Sequence, residues 1–307
     1  AIIAEKAYHS VTTDLRVVLE ERVPLFIFRN HQDFEQTNVL SGVLSEGIGG
    51  VTEALKNRIL VPAVPSLEGL QDVIQHEFAH RCQFEVLYGG AGKSYRLLRS
   101  VFVPLWIMEG MAEYETIDDN APQTDMLVRD AVVNDRLVSI QHLDSFNHVD
   151  GRDVVLLYKL SASIFKFIAE KYGRDKAGLL LREYQRPQVT LYFALKHVLG
   201  ISDEELNKKW TAWLKEKYWA QVIGKKDAEY YGNALTVDAA HAQTNNIKPV
   251  FSKSGTRIAF MSDRFNYYNV YIMDLKSFSD NGIIGRKFEY ITASGNALSW
   301  SPDEKHI

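Results

Sequence analysis

The sequence lacks the features that would assign it quickly. It contains a single cysteine, Cys82, so no disulfide can close within the chain. Its apolar runs are short. Residues 101–108 form one of the longest, and Pro104 already interrupts it. A membrane helix needs roughly 18 consecutive apolar residues, and no stretch approaches that. There is no excess of basic charge: Lys plus Arg is 35 against 39 for Asp plus Glu, a net charge of -4. That balance argues against a broad phosphate-binding surface and so against nucleic acid as a partner. Neither a glycine-rich phosphate loop nor a serine-centred nucleophile elbow is present. With 46% apolar and 24% charged residues, the composition also excludes a mostly disordered chain. At about 150 residues per domain, 307 residues imply two.

What is present falls into two styles. Up to about residue 220 helical and extended patterns alternate. Residues 24–28 (PLFIF) read as a buried strand. Residues 58–64 (RILVPAV) read as a second, with Pro62 and Pro65 suggesting an edge position. Helical spacing predicts helices over 68–87, over 105–115 with Pro104 at the first turn, and over 158–172, closed by Gly173. A last helix over 202–219 opens on a capping box, Ser202 with Glu205 three residues on. Trp210 and Trp213 on it read as packing residues. Residues 223–246 read as a linker. Beyond it, residues 257–262, 269–275 and 287–292 alternate with period two and read as strands. FSKSGTRI at 251–258 aligns without gaps to WSPDEKHI at 300–307, an offset of 300 − 251 = 49 residues, the period of a propeller blade.

The chemistry concentrates in His76-Glu77-Phe78-Ala79-His80, inside the predicted helix over 68–87. Four residues at 100° each make 400°, so the two imidazoles project about 40° apart on one helical face. Both can then reach one zinc ion. Glu77, one residue on, is placed for a general base beside an activated water. The next helix carries Trp106-Ile-Met-Glu109-Gly110-Met-Ala112-Glu113-Tyr114. Glu109 can complete the three protein ligands of a catalytic zinc site. Glu113, at i+4, shares its face and can accept the free ring N–H of a ligand histidine. Gly110 and Ala112 are small, as expected where this helix packs closely on the zinc helix. Cys82 lies about 200° round from His80 and reads as core. His9, His31, His142, His148, His197, His241 and His306 show no ligand spacing and read as surface or satisfied histidines.

The pair HEFAH and WIMEGMAEY resembles the gluzincin metallopeptidases of the peptidase MA group, which include thermolysin-like and aminopeptidase N-like enzymes. The resemblance is sharp over residues 76–114 and looser over about 10–220. It implies Zn²⁺ held by His76, His80 and Glu109, with Glu77 as base and a peptide or protein as substrate. Aminopeptidase N-like enzymes also use a tyrosine near the start of a later helix to stabilise the oxyanion. Tyr158-Lys159 is similar, though it lacks the following glycine, and packing of Tyr158 on the core is the competing reading. Residues 49–53 (GGVTE) occupy the place of the segment that grips a substrate amino terminus, in a departing sequence. Residues 58–61 are a candidate edge strand for pairing with an extended substrate.

The C-terminal part resembles the TolB-type β-propeller. The matching residues are Pro249, Phe251-Ser252, Gly255, Ile258-Ala259-Phe260, Ser262-Asp263-Arg264, Tyr271 and Met273-Asp274, and then Trp300-Ser301-Pro302-Asp303. The expected architecture is an α+β zincin-like peptidase domain over 1–222, mainly helical with a small N-terminal sheet. A linker follows over 223–246, then the first blade and the start of a second over 247–307. Propellers close with 4–8 blades, so a longer native protein is expected. The chain opens on Ala1 with no signal-like segment, as in a processed chain or a fragment. The propeller resemblance implies an extracytoplasmic location and a protein partner taken through the blades. Two further readings stay open: an interaction module carrying a weakly active or inactive zincin domain, and a zinc hydrolase of a non-peptide amide.

Overall fold

The computed structural model describes residues 2–37, 49–53, 56–64, 66–89, 103–116, 122–144, 151–186, 188–226, 228–235, 245–264, 269–276, 279–283 and 298–307. The chain packs as two compact units, residues 1–223 and 224–307.

In the first unit, α1 (Ile2–Asp14) buries Ala7 and Val11, with Leu15 just beyond it, a stripe recurring every four residues. It packs against α3 (Leu67–Tyr88), where the Tyr8 and Phe78 rings lie 5.9 Å apart. A three-stranded sheet has the order β1 (Leu25–Phe28), β3 (Arg58–Pro62), β2 (Val51–Glu53). β1 and β3 are parallel, and β2 is antiparallel to β3. Ile59 and Val61 join the helical core, while Leu60 on the other face packs with Phe34 of α2 (His31–Glu35). β3 is therefore the central strand and not an edge. Pro62 sits beyond the last residue paired with β2, Leu60 opposite Val51, so its missing N–H breaks no ladder bond on that side. Pro65 lies outside the described residues.

Ser66 caps α3, its hydroxyl accepting from the Gly69 N–H at 2.9 Å. The next helix, α4 (Leu105–Thr116), is followed by α5 (Pro122–Val133) and then α6 (Gly151–Tyr172). α6 begins two turns earlier than residue 158, and Gly173 ends it at φ 111°. Gly110 of α4 does mark a close approach, but to α6 and not to α3. A Cβ there would lie 2.6 Å from the Ser161 Cβ. α7 (Lys176–Glu183) and α8 (Leu191–Leu199) lead to α9 (Asp203–Val222). The Ser202 hydroxyl accepts from the Glu205 N–H at 3.2 Å, half of the capping box, while the Glu205 carboxylate pairs with Lys209. Trp210 is fully buried, donating to the Ser163 hydroxyl, and the Trp213 ring lies tilted 5.6 Å from Phe167. No helix among the described residues is long and apolar enough to cross a membrane.

In the second unit, a short α10 (Ala228–Tyr231) is followed by a four-stranded antiparallel meander. Its strands are β4 (Asn246–Phe251), β5 (Arg257–Ser262), β6 (Asn269–Asp274) and β7 (Ser279–Ile283). Ile258, Phe260, Tyr271 and Met273 form its core, the period-two residues of β5 and β6. β4 and β7 add strands at 246–251 and 279–283, and the expected strand over 287–292 lies outside the described residues. The 49-residue repeat is also a repeat of hydrogen bonds. The N–H of Ser252 donates to the Arg257 carbonyl at 2.9 Å, and that of Ser301 to the His306 carbonyl at 2.9 Å. The same two serine hydroxyls accept from the N–H groups of Arg257 and His306.

Candidate metal centre

His76 and His80 lie one turn apart on α3, and Glu109 comes from α4. Their donor atoms lie within 4.8 Å of one another, the one group among the described residues able to hold a metal ion in this way. The two Nε2 atoms are 3.2 Å apart, and each is 3.4 Å from Glu109 Oε2. Tetrahedral ligands at about 2.0–2.1 Å from zinc are separated from each other by about 3.3 Å. The three edges of this triangle match that spacing, and the donor set of two imidazoles and a carboxylate suits zinc.

The electrostatics favour a cation. Burial alone would lower the His76 pKa. The hydrogen bonds of Glu109 and Glu113 and the nearby Glu77 charge override it and raise it to about 10. His80 is raised too, its burial outweighed by Glu109. In turn Glu109 and Glu113 are held well below the usual carboxylate range despite burial, by the histidines and, for Glu113, also by Lys159. Without a metal the cluster holds protons tightly, and a dication answers the same demand for positive charge.

Each histidine has a separate holder for its other nitrogen. His76 Nδ1 lies 3.6 Å from Glu113 Oε2, and Lys159 pairs with the other Glu113 oxygen. His80 Nδ1 lies 2.9 Å from Gln83 Oε1, and the fully buried Gln83 donates its amide to the Met108 carbonyl at 2.8 Å. So α3 and α4 are tied together through the ligand helix itself. Gln83 was legible as the i+3 neighbour of His80. Lys159 had no signal of its own beyond its place after Tyr158.

Glu77 is 6% exposed and held from a distance of 25 residues. Thr52 on β2 puts its hydroxyl 2.7 Å from Glu77 Oε2 and 2.7 Å from the Glu77 carbonyl. Tyr158 lies in the third turn of α6, not at its start. Its hydroxyl hydrogen-bonds Glu109 and its ring centroid is 6.5 Å from that of His76. Burial and then the Glu109 charge push the phenol upward, so it stays protonated. The structure thus brings His76, Glu77, His80, Glu109, Glu113 and Tyr158 together. Glu53, in the 49–53 segment, is engaged by Arg58 and Lys56.

Elsewhere the side chains are ordinary. Cys82 is fully buried and its thiol pKa is raised by burial. His31 pairs with Glu35, His142 with Ser139 and His197 with Glu183. His148 and His241 lie outside the described residues. Buried Glu115 on α4 is pushed up to about 8, by burial and then by Asp14, with Arg174 opposing.

No curated protein and no solved structure matches the sequence. A model of the Peptidase MA superfamily matches residues 3–216, the span that contains the histidine–glutamate cluster and every element that builds it, and the chain belongs to that superfamily.

Proposed function

We propose that the chain is a zinc-dependent peptidase of the gluzincin type, with His76, His80 and Glu109 as the zinc ligands. The observation that carries this is the donor triangle of 3.2, 3.4 and 3.4 Å edges. When bound there, zinc lowers the pKa of a water toward about 7 and polarises a carbonyl. Glu77 accepts a proton from the attacking water at a carboxylate oxygen. It then delivers that proton to the leaving amine nitrogen as the peptide bond breaks. Tyr158 keeps its proton and donates a hydrogen bond to the oxyanion. Glu113 accepts from His76 and fixes its tautomer, with Lys159 holding Glu113 in place. The edge of β2, unpaired among the described residues and beside Glu77, replaces β3 as the strand on which an extended substrate would pair.

The second unit fits the first blade of a TolB-like propeller. What supports that reading is the four-stranded meander and the two turns closed by the same bonds 49 residues apart. An extracytoplasmic location and a protein partner taken through the propeller belong to the same reading.

Metal analysis with peptide cleavage tests the enzyme. About one zinc per chain and chelator-sensitive cleavage of a peptide library are expected. Glu77→Gln should keep the zinc and lose turnover by about 10²–10⁴-fold, the usual worth of a positioned base. Wild-type cleavage by Glu77→Gln would refute the mechanism. Zinc binding without cleavage of any peptide would favour the interaction-module reading.

A further inference from the structure

We infer that Gly50 and Thr52 position Glu77 for proton transfer, acting as a two-sided clamp that the β2 strand applies to the zinc helix. The inference rests on the peptidase reading. On one side, the Thr52 hydroxyl reaches both the Glu77 carboxylate and the Glu77 carbonyl, at 2.7 Å each. Its single proton is therefore shared between two acceptor oxygens of the same residue, one on the side chain and one on the helix backbone. On the other side, Glu77 lies directly against Gly50. A Cβ added there would sit 2.7 Å from Glu77 Cγ and 2.9 Å from Oε1. No real Cβ tolerates such contacts, so any side chain at residue 50 drives the carboxylate away.

A glutamate has three rotatable side-chain bonds, and a general base works only within hydrogen-bond reach of its proton. The helix backbone limits the first of these torsions, and the outer ones need a partner from elsewhere. The clamp supplies one from β2, holding Oε2 by a hydrogen bond and the stem by contact. A site held loosely by about 1 Å can lose about 100-fold in rate. Thr52 and Gly50 touch Glu77 rather than a zinc donor, so zinc binding should not depend on them. They are positioning residues, and their effect should appear in kcat.

The test compares Thr52→Val, Thr52→Ser and Gly50→Ala with the wild type in the full chain. Valine keeps the shape of threonine and removes the hydroxyl. We expect Thr52→Val to lower kcat about 10- to 100-fold with KM within about twofold and zinc still at one per chain. Serine should restore most of kcat. Gly50→Ala should lower kcat while leaving the zinc in place. A second readout needs no activity. In zinc-free protein, a double-mutant cycle of Thr52→Val with Glu77→Ala in urea should show about tenfold coupling in the unfolding constant, the worth of a hydrogen bond to a charged group. Thr52→Val at wild-type kcat, or a cycle with no coupling, would overturn the inference. A wild-type protein that cleaves no peptide would instead overturn the peptidase reading, and the zinc-free cycle would still decide whether the clamp exists.

Discussion

The two units use polar side chains in opposite ways. In residues 1–223, polar groups from three separate helices and a strand converge on one point and are mostly buried. Gln83 is fully buried and Glu77 is 6% exposed, and each is partnered by residues far along the chain. In residues 224–307, polar groups sit in turns and repeat. Ser252 and Ser301 close the same six-residue turn with bonds to residues five further on. Convergent burial is costly and is kept where chemistry needs charge in a fixed place. Repetition is inexpensive and builds architecture. The contrast sets a convergent polar cluster in the first unit against repeated turns in the second, and the peptidase reading built on it can be attacked from either side.

The sharpest attack is on the convergent cluster. Glu109→Gln replaces the proposed carboxylate ligand by a neutral amide. With zinc binding worth about 10–16 kcal/mol over a full ligand set, loss of one ligand should weaken affinity on the order of a thousandfold. Lys159→Met touches no donor and removes only the cation that pairs with Glu113. It should weaken zinc about 10- to 100-fold, the range for outer-shell partners, and Lys159→Arg should recover most of it. Competition against a chromogenic chelator measures both. Equal affinities for Lys159→Met and wild type would show that the outer network carries no weight.

A second test reaches a buried carboxyl group that the proposed chemistry leaves aside. Glu115 has a folded-state pKa of about 8, above its ordinary 4.5, because burial and Asp14 favour the neutral acid. Folded and unfolded chains are both protonated there below about pH 4.5, and the contribution to stability is then complete. As pH rises, the unfolded chain loses its proton first while the folded chain retains it. Stability therefore falls with pH until about pH 8, by at most about 5 kcal/mol. Glu115→Gln, neutral at every pH, should flatten that slope between pH 5 and 8 in urea titrations. An unchanged slope would place the carboxyl in a better-solvated setting than its burial implies.

The sequence made the centre legible and its supports largely illegible, for a physical reason. His76, Glu77 and His80, and then Glu109 and Glu113, are related by helical periodicity, which is local and can be counted. Thr52 and Lys159 reach the centre only through tertiary packing of β2 and α6, which no spacing encodes. β3 misled because Pro62 suggests an edge, whereas it stands at the end of a central strand where no bond is required. The first two turns of α6 were obscured by Gly151 and the β-branched pair Val154-Val155, poor helix formers that nonetheless open the helix. In the second unit, alternation located β5 and β6 well. It did not locate β7, whose sequence Ser279-Asp-Asn-Gly-Ile carries little strand propensity.

The smallest expected effect lies in the repeating turns. Gly255 has φ 67°, and Glu304, its counterpart 49 residues on, has φ 57°. Both stand in the left-handed region, one as the residue that enters it freely and one as a residue that resists it. Glu304 is compensated: its carboxylate accepts from the Ser254 N–H and hydroxyl and from Arg257, binding the second turn onto the first. Nothing lies within 4 Å of a Cβ built at Gly255, so a side chain there has room and gains no partner. Gly255→Ala should therefore cost only the backbone term, about 1 kcal/mol, and Gly255→Asn less, because asparagine tolerates this conformation. Denaturant midpoints measure the difference, and zinc affinity should not move. A Gly255→Ala loss far above 1 kcal/mol would mean that the turn does more than repeat a shape. A change in zinc affinity would undo the division of labour between the two units.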